Sequence, residues 1–269
     1  MSPTHSSPPT FGDSPRRVAL ITGAGQRIGR ALALGFAVGG WDVGVHYHRS
    51  REQALIVVEE IEVLGGRAVA LEADLADEAA VASLVPDLAD ALGTPSCVIN
   101  NASIFEEDSA LDFCFDTLSR LTRVNLAAPL ALARALHAVT PDEAIEDERL
   151  RGVVINLLDQ KLYNLNPDFL SYTLTKAALE TATTMLAEAL APKLRVVGLA
   201  PGLTLQSFDQ RPEAFAEAHR NTPLRAGSRP SDLVDAALYL AEARAVTGTT
   251  LLVDGGEHLQ PSLRQSPDL

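Results

Sequence analysis

The sequence predicts an α/β chain folded as a single doubly wound parallel sheet of about seven strands, with helices on both faces. Three observations predict it. Short apolar runs alternate with Ala- and Leu-rich helical stretches from residue 18 to residue 253, with short connections and no internal repeat, which is the pattern of right-handed strand–helix–strand crossovers. The first apolar run opens through a cluster of glycines straight into a helical stretch. Residues 152–158, Gly-Val-Val-Ile-Asn-Leu-Leu, are apolar at almost every position, as a strand covered on both faces must be.

The first strand is expected over residues 18–22, followed by the turn Gly23-Ala24-Gly25-Gln26-Arg27-Ile28-Gly29 and a helix over 30–38. A glycine-rich backbone at a helix N-terminus can approach a pyrophosphate closely and hold it with free N–H groups and the helix dipole. The spacing departs from Gly-x-Gly-x-x-Gly because Ile28 stands where the third glycine would fall, so an αβ turn without a ligand is the alternative. A second strand over 42–47 ends in His48-Arg49-Ser50. A carboxylate there would accept hydrogen bonds from the adenosine ribose, whereas arginine and its neighbours suit a 2′-phosphate, so NADP(H) is expected over NAD. The plain alternative makes Arg49 and Arg51 a solvated helix start.

A helix over 54–64 closes at Gly65-Gly66, and a third strand spans 67–71. Asp74 and Leu75 follow it, where an adenine ring lies in a dinucleotide fold; Asp74 is otherwise a cap for the helix expected over 77–92. A fourth strand, 96–100, leads into Asn101-Ala102-Ser103-Ile104-Phe105. One long helix is expected over 117–139, with Asn125 and Pro129 inside it. Asn125 wants a partner and Pro129 removes a backbone hydrogen bond, which either frees a carbonyl to hold water or is simple irregularity. The charged stretch 141–151 reads as a solvated insertion. Asp159 directly follows the fifth strand, at the carboxyl edge where ligands lie in such sheets. There it is either a proton donor with a raised pKa or a turn cap.

Tyr172 and Lys176 lie four apart in a helix expected over 170–191, hence on one face. An ammonium beside a phenol favours the phenolate and lowers its pKa. A sixth strand over 194–199 is followed by Pro201-Gly202 and an excursion to Thr222 that holds Phe208 and Phe215, a substrate lid or ordinary packing. A helix over 231–242, a last strand over 249–253 and Asp254-Gly255-Gly256 complete the pattern.

With 269 residues and 46% hydrophobic content, the chain has room for one large domain, placed at 15–262 between a Pro/Ser-rich tail, 1–14, and a short tail, 263–269. A net charge of −13 argues against a nucleic-acid or anionic-membrane surface. No apolar run reaches the length of a membrane span. Cys97 and Cys114 are the only cysteines, so inert thiols in a reducing cytoplasm are expected. The histidines lack metal-ligand spacing, and no metal is expected.

Taken together, Thr22-Gly23 to Gly29, Asp74, Asn100-Asn101-Ala102, Asn125, Tyr172 with Lys176, Pro201-Gly202 and Asp254-Gly255-Gly256 resemble the short-chain dehydrogenase/reductase family over about residues 17–259. The departures resemble its pteridine reductase branch: Arg27 in the glycine turn, Ser103 after Asn-Asn-Ala, Phe105, His46-Tyr47-His48-Arg49-Ser50, and Asp159 where the family usually has a catalytic Ser. The resemblance implies a Rossmann-type domain and an NADPH-dependent reductase of a dihydropterin-type ring. It implies that Asp159, Tyr172, Lys176 and Asn125 are catalytic, with Lys176 on the nicotinamide ribose and Asn125 holding a relay water. Cofactor contacts are implied for Gly23, Gly25, Arg27, Ile28, Gly29, His48, Arg49, Ser50, Asp74, Leu75, Asn101, Ala102, Ser103, Tyr172, Lys176, Pro201 and Gly202. Substrate contacts are implied for Arg27, Ser103, Phe105, Asp159 and Tyr172, and a homo-tetramer is the expected assembly. The competing readings are a short-chain carbonyl reductase or alcohol dehydrogenase of other specificity, and a cofactor-binding regulatory protein without turnover.

Overall fold

The computed structural model describes residues 17–206 and 211–260, so both expected tails and Phe208 lie outside the described residues. Seven strands form one parallel sheet in the order β3-β2-β1-β4-β5-β6-β7: β1 Arg17–Ile21, β2 Trp41–Tyr47, β3 Ala68–Glu72, β4 Cys97–Asn100, β5 Gly152–Leu157, β6 Leu194–Pro201 and β7 Thr250–Val253. The order reverses between β1 and β4, which run side by side with Ala19 opposite Cys97 and Ile21 opposite Ile99. The doubly wound sheet with helices on both faces is therefore the architecture observed.

Alternation along each strand divides the core into two layers. Ala19 and Ile21, with Val43, Val45, Val153 and Ile155, face Leu32 and Phe36 of α1 (Arg27–Val38), Val57 and Ile61 of α2 (Arg51–Val63), and Leu240 of α8 (Pro230–Glu242). Val18 and Leu20, with Val98, Val154 and Val196, face Leu84 and Leu88 of α3 (Glu78–Leu92) and Leu132 and Leu136 of α5 (Ala128–Val139). Strands buried this way on both sides leave only their ends open to solvent, so chemistry is confined to the sheet edges.

Three sequence expectations change. The long helix over 117–139 is three pieces: α4 (Phe115–Thr122), a π-helical turn (Arg123–Ala127) and α5. The wider turn sits just before Pro129, which thereby falls in the first turn of α5, where its missing N–H costs least. Second, α1 begins at Arg27, three residues before the expected start. Third, the charged stretch 141–151 is docked and not merely solvated. It forms two short 3₁₀ turns, Asp142–Ile145 and Glu148–Leu150, with Ala144 fully buried. Arg151 donates to the Ala144 carbonyl at 3.2 Å, and Lys193 and Arg244 pair with Asp142 and Glu148.

The β2 strand carries a buried histidine that links three connections. His46 Nδ1 accepts a hydrogen bond from the Gly23 N–H at 3.0 Å, so Nε2 carries the proton and donates it to the Ala73 carbonyl at 3.1 Å. Burial pulls its pKa down from 6.5 to about 4. A histidine held neutral in the fold contributes stability that is present above pH 6.5 and lost as pH falls through 4. Between those limits the wild type should lose roughly 3 kcal/mol more than His46→Asn, read as the difference between their urea midpoints at pH 7 and pH 4. Parallel pH curves for the two proteins would show that the ring carries no such linkage.

Candidate active site

The carboxyl ends of β1, β4, β5 and β6 bring the predicted residues to one edge. The junction of β1 and β4 is locked by Thr22. Its hydroxyl donates to the Ile99 carbonyl and accepts from the N–H groups of Asn101 and Ala102, both at 3.0 Å, while Asn101 Nδ2 donates back to the Thr22 carbonyl at 2.8 Å. Gly23 follows at φ +64°, where an added Cβ would meet Ala102 at 3.1 Å. The Gly29 position is tighter still, since a Cβ there would lie 2.1 Å from the Gly23 carbonyl oxygen. These glycines keep the start of α1 open, and α1 has neither a side-chain N-cap nor an acidic residue in its first turn. Its N–H groups and dipole are thus left for an anion, which fits a dinucleotide pyrophosphate.

At the end of β2, His48 and Arg49 are exposed and Ser50 precedes α2, with the Ser50 Oγ 3.1 Å from where a Gly25 Cβ would project. Two cationic side-chain types and a hydroxyl beside the glycine turn fit a 2′-phosphate. Asp74 lies 3.8 Å from His48 Nε2 and closes its own turn by accepting from the Ala76 N–H. The helix cap belongs to Asp77, whose carboxylate accepts from Ala79. Leu75 is buried.

On α6 (Leu170–Ala189), Tyr172 and Lys176 project toward the sheet and are both buried. The Tyr172 hydroxyl donates to Asp159 Oδ2 at 2.7 Å. Asp159 Oδ1 accepts from the Lys161 N–H at 2.8 Å, so the residue caps the following 3₁₀ turn and engages the tyrosine at once. Burial and then the neighbouring Asp159 push the Tyr172 pKa well above 10. The expectation that Lys176 lowers that pKa is corrected: its ammonium is 5.8 Å from the tyrosine ring and donates to the Leu157 carbonyl at 2.7 Å. Burial pulls the Lys176 pKa down to about 8. Burial and Asp159 accordingly keep Tyr172 in its phenol form.

Asn125, inside the π-helical turn, spends its side chain on protein. Its Oδ1 accepts from the Ile104 N–H, and Nδ2 donates to the Ile104 carbonyl and to Thr175 Oγ1. These bonds anchor the loop after β4 to the helix. That loop presents Ser103, exposed, and Phe105, which is 52% exposed. Phe105 stacks on Phe169 (centroids 4.2 Å, interplanar 18°) and meets Tyr172 edge-on at 4.7 Å. Arg27, at φ +51°, donates to the carbonyls of Gln206 at 3.1 Å and Leu205 at 3.4 Å, joining the glycine turn to the excursion after β6. The described part of that excursion includes α7 (Pro212–Asn221), where Phe215 packs on His219.

Sequence reasoning missed several supports of this edge. Asn100 Nδ2 donates to Asn156 Oδ1 at 2.7 Å and Asn156 Nδ2 to Thr183 Oγ1 at 2.9 Å, a buried chain joining β4, β5 and α6. The signal was present: Asn156 interrupts an otherwise apolar strand. Glu257 accepts from the Leu203 N–H at 3.0 Å and from Gln160 at 3.2 Å, and burial raises its pKa. It braces Gly202, where a Cβ would lie 2.7 Å from the Glu257 carboxylate. No local pattern marks it. Among the described residues there is no metal-binding group of side chains, no helix long and apolar enough to cross a membrane, and both cysteines are free.

With this geometry in hand, comparisons with known proteins agree on its class. A family model described as enoyl-(acyl carrier protein) reductase matches residues 23–258. A crystal structure of FolM alternative dihydrofolate reductase 1 from Brucella canis, complexed with NADP, is 36% identical, covers 95% of this chain and 98% of its own, and superposes with a TM-score of 0.85. A short-chain dehydrogenase from Burkholderia cenocepacia in complex with NADP is 30% identical over 90% of this chain and 97% of its own, with a TM-score of 0.80. Among curated relatives, 3beta-hydroxysteroid dehydrogenase 1 of Eggerthella lenta is 31% identical over 94% of this chain and 98% of that protein. The chain belongs to the short-chain dehydrogenase/reductase family of oxidoreductases.

Proposed function

We propose that this oxidoreductase reduces a pterin-type ring, of the dihydropterin or dihydrofolate class, with NADPH as the hydride source. The observation that carries the reading is the 2.7 Å hydrogen bond from Tyr172 to Asp159. Reduction of a ring C=N bond consumes a proton at nitrogen, and a phenol paired with a carboxyl group can supply one. Ketone reduction also takes up a proton, at oxygen, but there a neutral hydroxyl beside the tyrosine is enough to polarise the carbonyl. Two further features support the pterin reading: Phe105, half-exposed with one face on Phe169, keeps aromatic surface on which a flat heterocycle can stack, and the Brucella FolM proteins, at 36% identity, are named alternative dihydrofolate reductases.

When bound, NADPH supplies the hydride. The glycine turn and the start of α1 hold its pyrophosphate, and His48, Arg49 and Ser50 hold the 2′-phosphate. Asp74, Leu75, Asn101, Ala102, Pro201 and Gly202 line the remainder. Lys176, fixed by the Leu157 carbonyl, orients the ribose next to the nicotinamide. Tyr172 delivers the proton and Asp159 returns one to it. Arg27 and Ser103 contact both ligands, and the functional assembly is a homo-tetramer. A second reading, oxidation or reduction of a hydroxyl or carbonyl compound, is favoured by the steroid and sugar dehydrogenases among the curated relatives.

Purified protein should oxidise NADPH in the presence of dihydrobiopterin, dihydromonapterin or dihydrofolate, and Tyr172, whose raised pKa keeps it protonated throughout, should add no pH dependence to the rate between pH 6 and 8. Asp159→Asn and Tyr172→Phe should each lower kcat/KM at least about 100-fold; near wild-type rates in both would sink the mechanism, and turnover of carbonyls alone would establish the second reading. Removing the phosphate contact by Arg49→Ala should weaken NADPH binding by about 2 kcal/mol while leaving NADH binding nearly unchanged, measured by titration calorimetry. Equal losses for the two cofactors would remove Arg49 from the 2′-phosphate site.

A further inference from the structure

The catalytic helix α6 starts without a cap of its own. Its N-cap residue is Phe169, at φ +56°, and no side chain there accepts a hydrogen bond from the first turn. Helix starts leave several N–H groups without intrahelical acceptors, and a buried one must find a partner elsewhere. Here two of them find the same residue. The Leu170 N–H donates to the Asp108 carbonyl at 3.2 Å, and the Ser171 N–H donates to Asp108 Oδ1 at 2.9 Å. Asp108 is 7% exposed and lies 62 positions before Leu170. It belongs to the loop after β4, three residues beyond Phe105.

That loop is pinned at both ends. Asn125 grips both backbone polar groups of Ile104, and Asp108 grips the start of α6, one residue before Tyr172. Phe105, between these pins, meets the Tyr172 ring edge-on. A carboxylate at a helix N-terminus also interacts favourably with the dipole. Yet the arrangement is costly as a plain cap. Asp108 Oδ2 and Ser171 Oγ are buried and make no hydrogen bond among the described residues, and Phe169, at φ +56°, lacks the extended backbone from which a residue caps its own helix. What a distant cap achieves, and a local one does not, is to fix the first turn of α6 relative to the loop that carries Phe105.

We infer that Asp108 is a positioning residue that sets the Tyr172 hydroxyl against Asp159 and holds the Phe105 loop to the catalytic helix. Its acceptor oxygen acts through the Ser171 N–H. The inference goes beyond the pterin reading and does not rest on it, because Tyr172 serves any reduction this family carries out.

The test compares Asp108→Leu, which removes the acceptor, Asp108→Asn, which keeps it, and Ser171→Ala, which removes only the unpartnered hydroxyl. Each is assayed with whichever pterin or carbonyl compound the wild type turns over, and amide exchange at Leu170 and Ser171 is followed in parallel with NADPH bound and free. Asp108→Leu should lower kcat about 10- to 100-fold with the NADPH KM within about twofold of wild type, while Asp108→Asn stays within about threefold of wild type in both. Exchange at Ser171, whose acceptor is the side chain, should speed up in Asp108→Leu alone, and Ser171→Ala should match wild type throughout. Unchanged kcat in Asp108→Leu with only a lower Tm would reduce the residue to a structural cap. A loss in Asp108→Asn equal to that in Asp108→Leu would overturn the role of the acceptor oxygen. Should Asp108→Leu fail to fold, Asp108→Ser, whose shorter side chain withdraws from the Ser171 N–H, reads the same loss. Since exchange needs no turnover, unchanged protection at Ser171 in Asp108→Leu or Asp108→Ser overturns the inference even if every pterin proves inert.

Discussion

Everything at this site depends on how β1 and β4 part company. The strands run parallel with their ends level, but the chain leaves β1 toward one face of the sheet and β4 toward the other, and the crevice between is where a dinucleotide fits. The Thr22 hydroxyl holds the two exits together, serving the Ile99 carbonyl and the N–H groups of Asn101 and Ala102. Asn101 answers through the Thr22 carbonyl. With the junction fixed, the close glycine contacts behind it follow: Gly23 against Ala102, and Gly29 against Gly23 itself. The Thr-Gly and Asn-Asn-Ala motifs thus form one interlocked unit, each satisfying the other's buried backbone groups.

The electrostatics of the pair at the far side of the crevice point in one direction. Tyr172 is buried and beside a carboxylate, two influences that both favour the phenol. Lys176, buried under Leu157, is the group whose charge is made expensive. A phenolate waiting to accept a proton would need the opposite arrangement, with the ammonium near the hydroxyl and no acid beside it. The protein as folded therefore keeps Tyr172 in its phenol form.

The doubly wound parallel sheet, and the meeting of the glycine turn, Asp159, Tyr172 and Lys176 at its carboxyl edge, were legible because each rests on a local pattern: apolar runs of strand length, a glycine turn before a helix, a Tyr-x-x-x-Lys spacing. What escaped depends on contacts distant in sequence. Glu257 reaches Leu203 and Gln160, and Asp108 reaches the start of α6, without any periodicity to announce them. The π-helical turn at 123–127 escaped because a polar residue and a proline inside an apolar helix are compatible with several backbone solutions. The Tyr172 pKa was misjudged because helical spacing places two side chains on one face but says nothing of which neighbour each one bonds. The charged stretch 141–151 was misjudged through composition, which could not reveal that Ala144 is its anchor.

That stretch enters β5 from the end of the sheet opposite the crevice. The six residues of β5, Gly152–Leu157, stand between it and Asp159, a separation of about 20 Å along the strand. Its acidic side chains face solvent while Ala144 and two ion pairs hold it down. For anyone wishing to immobilise, label or fuse this protein, the turn around Glu146 is a natural handle: a surface joined to the frame yet remote from the crevice.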